Sequence, residues 1–112
     1  MQEWINKLYK ADISFSAGGD STVIAAPGLG KRLAIDFLYL QTTGASNITL
    51  KDDTPAYGGV LPVAANGVVR LENNILNQDG VITLSPNLAF VVNSSASTQV
   101  SGFVRYRIME GN

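Results

Sequence analysis

A pair of glycines followed by Lys31 and Arg32, in the stretch AAPGLGKRLAIDFLYLQ (residues 25–41), is where this chain comes nearest to a phosphate-binding motif. A P-loop needs glycine, four residues, then Gly-Lys-Ser/Thr, so that backbone N–H groups cradle phosphate and the hydroxyl holds magnesium. Counting back from Gly30-Lys31 puts Ala25 where the first glycine belongs, and Arg32 stands at the hydroxyl position. A dinucleotide fingerprint starting at Gly28 needs its third glycine where the chain has Leu33. Both motifs must also open a helix, whereas the residues that follow are aromatic and β-branched and lack an N-cap. The stretch reads as a turn feeding a strand.

The rest of the chemical inventory is thin. There is no cysteine and no histidine, which excludes disulfides, thiol nucleophiles, zinc sites built on either residue, and Ser-His or Cys-His arrangements. Catalysis by two carboxylates or a lysine remains, but most of the nine acids fall at expected turns or chain ends, where solvation and Asx-turn bonding account for them. Asp52-Asp53-Thr54 offers oxygen ligands of the kind calcium takes, yet no glycine or further acid follows at useful spacing, so it reads as a turn. Arg105 and Arg107 share one strand face, which reads as a solvated or ion-paired face in preference to a polar patch with Asp36. Asn47-Ile48-Thr49 and Asn93-Ser94-Ser95 match the glycosylation pattern; since MQEWINKLYK lacks the apolar core of a signal peptide, they are read as chance. NSSASTQ (93–99) reads as a Ser/Thr-rich hairpin loop with no aromatic ring to stack on a sugar. We therefore expect no catalytic, cofactor-binding or metal-ligating residue, and no enzyme.

The elements that would carry these residues are strands. The 112 residues suit one domain, and with 46% hydrophobic and only 15% charged residues the chain is globular. So low a charge content is expected to leave surface for a partner to cover. A net charge of −1 with no basic run argues against nucleic acid, and no apolar run approaches the ~18 residues of a membrane span. A soluble protein of the cytoplasm is expected. Segments 11–17, 21–26, 32–42, 47–52, 60–63, 68–72, 81–84, 88–93 and 98–109 read as strands between turn signals such as Pro27-Gly28 and Asn66-Gly67. Pro62 marks an edge strand. About eight or nine strands at this regular spacing predict an all-β fold, an antiparallel β-sandwich of jelly-roll type. The sandwich is expected over 11–112, with Ile35, Phe37, Ile48, Leu50, Phe90, Val104 and Tyr106 in its core. Residues 1–10 stand apart as a short helical or extended arm, in which Trp4 and Leu8, and Ile5 and Tyr9, lie four apart. Trp4, Ile5, Leu8 and Tyr9, with Arg105 and Arg107, are the expected interface residues.

Three longer stretches carry a resemblance. GKRLAIDFLYLQTTGASNITLKD, GGVLPVAANGVVRL and LAFVVNSSASTQVSGFVRYRI are similar, in order and in turn chemistry, to small structural proteins from the virion gene clusters of tailed bacteriophages. The likeness covers about residues 20–108; AANGVV departs from it in lacking a doubled glycine. It implies a capsid decoration (cement) protein on the outside of the head, commonly a homotrimer, with itself and the major capsid protein as partners. It also implies assembly in the host cytoplasm and a final place on the virion. The alternative is a head or tail fibre or receptor-binding accessory domain with a carbohydrate-binding role.

Overall fold

The computed structural model describes residues 7–73 and 81–110, and among them there are nine strands and no helix. They are β1 (Tyr9–Phe15), β2 (Gly19–Ile24), β3 (Lys31–Thr42), β4 (Ser46–Asp52), β5 (Leu61–Val63), β6 (Val68–Glu72), β7 (Ile82–Thr83), β8 (Phe90–Ser94) and β9 (Val100–Glu110). One sheet has the order β1-β9-β3-β6, with the two-residue β7 also on β3; the other has the order β2-β8-β4-β5. Every pairing is antiparallel. The partners β1·β9, β2·β8, β3·β6 and β4·β5 are those of one long hairpin rolled into two layers. That is the jelly-roll order.

Rolling moves several turns away from their expected role. Asn66-Gly67 is not a hairpin turn between paired strands: β5 lies on β4 and β6 on β3, in opposite sheets. Asn66 takes a positive φ of 63°, and the Gly67 amide closes the turn on the Ala64 carbonyl at 2.8 Å, so the chain steps from one layer to the other. NSSASTQ likewise bridges β8 and β9 of opposite sheets. Pro62 does sit on an edge strand, where its missing N–H costs no ladder bond.

Strand alternation builds the core. Ile13, Leu33, Ile35, Leu38, Leu40, Ile48, Leu50, Phe90, Val92, Val100 and Val104 are buried between the layers, and Tyr106 packs against them half-buried. The two longest strands, β3 and β9, pair along their whole length from Lys31↔Glu110 to Thr42↔Val100. They form the spine of the first sheet.

Phe37 is the exception, and the reason is one residue. The β3–β9 register passes from Ile35↔Tyr106 to Phe37↔Arg105, leaving Asp36 as an extra residue on β3. Such a β-bulge reverses the inside–outside parity of everything beyond it. Leu33 and Ile35 point inward before it; Leu38, Leu40 and Thr42 point inward after it, each fully buried. Phe37 and Tyr39 are turned to the outer face, where both are only half-buried. Phe37→Ala is accordingly expected to cost about 1 kcal/mol, a fraction of the ~3–5 kcal/mol of a core Phe truncation. Urea denaturation of the variant checks this.

The second sheet is laced on its outer face. Asp20 on β2 accepts from Asn93 Nδ2 on β8 at 2.7 Å and from Lys51 Nζ on β4 at 2.9 Å. Its carboxyl is held below the usual aspartate range, first by the Asn93 hydrogen bond and then by Lys51. A lowered folded-state pKa means stability that is present above the unfolded aspartate pKa and lost as pH falls through the folded one. Asp20→Asn should therefore lower stability at neutral pH and leave the acid limit little changed, so that the pH dependence between them flattens; urea titrations at neutral and acid pH check this.

Candidate interaction surface

The bulge creates the one surface that differs most from the sequence-based expectation. On the outer face of the first sheet, strand register sets two cross-strand rows. Glu72, Phe37, Arg105 and Lys10 stand side by side across β6, β3, β9 and β1; Arg70, Tyr39, Phe103 and Asp12 form the next row. The three rings fill the middle. Phe37 and Phe103 have centroids 5.4 Å apart and tilted, with Tyr39 6.4 Å from Phe103. The Arg70 guanidinium lies over Phe37 at 5.9 Å, a cation–π distance. Charged residues of both signs border the band on its two edge strands, as ion pairs Lys10–Asp12 (3.2 Å) and Arg70–Glu72 (3.1 Å).

Below this band sits a polar clamp. Arg107 Nε donates to Asp36 Oδ2 at 2.7 Å and Arg107 Nη2 to Asp36 Oδ1 at 3.0 Å. Asn73 Nδ2 donates to the same Oδ1 at 3.0 Å, and the Asn73 amide to the Asp36 carbonyl at 2.9 Å. The side chains of Arg107 and Asp36 keep only 11% and 17% of their surface exposed. Asp36 also stands where the edge beside β3 is interrupted: β6 pairs up to Phe37, and β7 resumes at Ile35. The fork-shaped pair thus holds the bulge in place from β9.

The expected interface residues are scattered by this arrangement. Arg105 is exposed within the aromatic band, and among the described residues it has no ion-pair partner. Arg107, two residues on, belongs to the clamp. Trp4 and Ile5 lie outside the described residues. Leu8 is exposed, and Tyr9, read from sequence as part of the arm, is the first residue of β1. Tyr9 stands opposite Tyr106 with the rings stacked at 5.4 Å, and Lys7 Nζ lies 5.3 Å from the Tyr9 ring centroid. Burial, then the neighbouring Tyr9, raises the Tyr106 phenol. This pair is on the opposite side of the sheet from the band, since Tyr106 shares its row with Ile35.

Sequence reasoning places Phe37 in the core and does not single out Tyr39, Phe103 or Arg70 as interaction residues. The run LAIDFLYL is apolar in both parities, so its only local hint of a bulge is a lone carboxylate, Asp36, in mid-strand. As chemistry, the surface offers ring faces and one uncommitted guanidinium. Among the described residues no three His, Cys, Asp or Glu side chains come together to hold a metal ion. Asp52 Oδ2 accepts from the Ser85 amide at 3.3 Å. In comparisons with protein-family models and with curated proteins, nothing matches the chain.

Proposed function

We propose that this protein is a non-enzymatic structural component of a virion, a homo-oligomeric, trimeric capsid decoration protein that binds the outside of the head and bridges subunits of the major capsid protein. The observation that carries the reading furthest is the outer face of the first sheet. Aromatic rings bordered by arginine are the side chains that dominate binding energy at protein interfaces. Here Phe37, Tyr39 and Phe103 are held half-exposed at the centre of a rigid sheet, beside Arg105. Bridging several capsid subunits from one oligomer raises the effective concentration at each contact, so modest faces add up to firm attachment. The low charge content and the sequence resemblance support the same reading.

Mass spectrometry and immunogold electron microscopy of purified particles test it, with the protein expected at high copy number on heads. Tyr39→Ala with Arg105→Ala should reduce attachment about tenfold or more while the fold persists. Absence from purified particles would overturn the proposal. One observation favours the alternative, a fibre or receptor-binding domain with a carbohydrate role: the three outer rings are the kind of platform on which a sugar stacks. Glycan-array binding lost on Tyr39→Ala, with label on tails and none on heads, would select it.

A further inference from the structure

The four edges of this sandwich are not alike. In the second sheet, β5 carries Pro62 and is three residues long, and β2 has a register break between Thr22 and Ile24. Both devices blunt an edge against pairing. In the first sheet, β1 pairs with β9 over seven consecutive residues without a break, and β6 pairs with β3 over five. Neither contains proline. Among the described residues nothing pairs with these two edges, which lie on opposite sides of the sheet.

From their chemistry we infer that β6 of one copy pairs with β1 of the next, joining copies head to tail; this rests on the proposed homo-oligomer and specifies its interface. Direction allows it. Three antiparallel steps separate β1 from β6, so the two edges run oppositely, and a neighbour of the same polarity meets β1 antiparallel. Such a contact is heterologous and closes into a ring about an axis along the strands.

Charge sets the register. β1 reads Lys10-Ala11-Asp12 and β6 reads Arg70-Leu71-Glu72, with all four charged side chains on the outer face. Centring the pair on Ala11 opposite the neighbour's Leu71 puts Lys10 against Glu72 and Asp12 against Arg70. A slip of two residues either way opposes like charges, and a slip of one turns the apolar residues outward. Apolar surface completes the match. Between β5 and β6 the sandwich opens as a groove of about 350 Å³ lined by Leu61, Val63, Val69 and Leu71. In that register the neighbour's Leu71 and Val69 stand opposite Ala11 and Ile13, on the side of the sheet away from the charges.

Charge swaps on the full chain, read by light scattering, test the pairing. Lys10→Glu with Asp12→Lys should weaken assembly about tenfold per interface, Arg70→Glu with Glu72→Lys likewise, and the four changes together should restore it. A self-paired β1 dimer predicts the opposite, because swapped charges still complement each other across its two-fold axis. A wild-type dimer indifferent to the single swaps, or a larger assembly that the swaps leave intact, overturns this interface and leaves the homo-oligomer reading standing. A wild-type monomer at high concentration overturns both.

Discussion

Gly102→Ala is expected to remove a large share of the protein's stability, about 4 kcal/mol or more. Gly102 lies on β9 between Ile13 of β1 and Leu40 of β3. A Cβ there would fall into the Tyr39 carbonyl group, 2.7 Å from its carbon and 2.8 Å from Leu40 Cα. These are backbone atoms of the central strand pair, so the clash cannot be relieved by turning a side chain. Relief means parting β3 from β9 at the middle of the sheet. Overpacking at sites that can adjust costs about 1–3 kcal/mol, and this site cannot, so about 4 kcal/mol or more is expected. That compares with a total stability of roughly 5–15 kcal/mol for a domain of this size. Gly59, with nothing within 4 Å of its added Cβ, is the control, and Gly59→Ala should stay within about 0.5 kcal/mol of wild type. Urea titrations of the two variants give the comparison; equal midpoints would show that β3 and β9 have room to spare.

The second large effect concerns the clamp. Asp36→Ala should cost about 3 kcal/mol, because it removes the two-point acceptor of the Arg107 guanidinium, 11% exposed, and an acceptor of Asn73. An exposed ion pair of the same composition would contribute 1 kcal/mol or less. The contrast lies in burial and in the two-point geometry, 2.7 and 3.0 Å. If the pair acts as a unit, Asp36→Leu combined with Arg107→Met should cost much less than the sum of the single changes. A double-mutant cycle by chemical denaturation measures this. Additive losses would mean that Asp36 stabilises the bulge through its backbone alone. Loss of the clamp should also disturb the aromatic band, since Phe37 follows the bulge directly; ring-current-shifted resonances of Phe37 and Phe103 report that independently of stability.

Much of this molecule was legible in its sequence, and the legible part is local. Alternation of apolar residues along β1, β4 and β9 reflects the two-residue period of a strand, and together with turn signals it placed nine segments within a few residues of where they fall. Turn chemistry separated them, because Pro and Gly constrain the backbone wherever they stand. The missing cysteine and histidine removed whole classes of chemistry without reference to any fold. The tertiary structure decided the rest, and each such decision is a pairing between distant residues. Whether Asn66-Gly67 joins neighbours or crosses layers depends on β5 choosing β4 and β6 choosing β3. Whether Phe37 and Tyr39 face the core depends on the bulge at Asp36, which nothing in LAIDFLYL enforces, since either face of that strand is apolar enough to be buried. It is settled by β9, whose Arg107, 71 residues away in the chain, takes hold of the Asp36 carboxylate. A single extra residue held by one long-range ion pair turns Phe37 and Tyr39 outward to join Phe103, and long-range pairing of that kind leaves no periodic mark in the sequence.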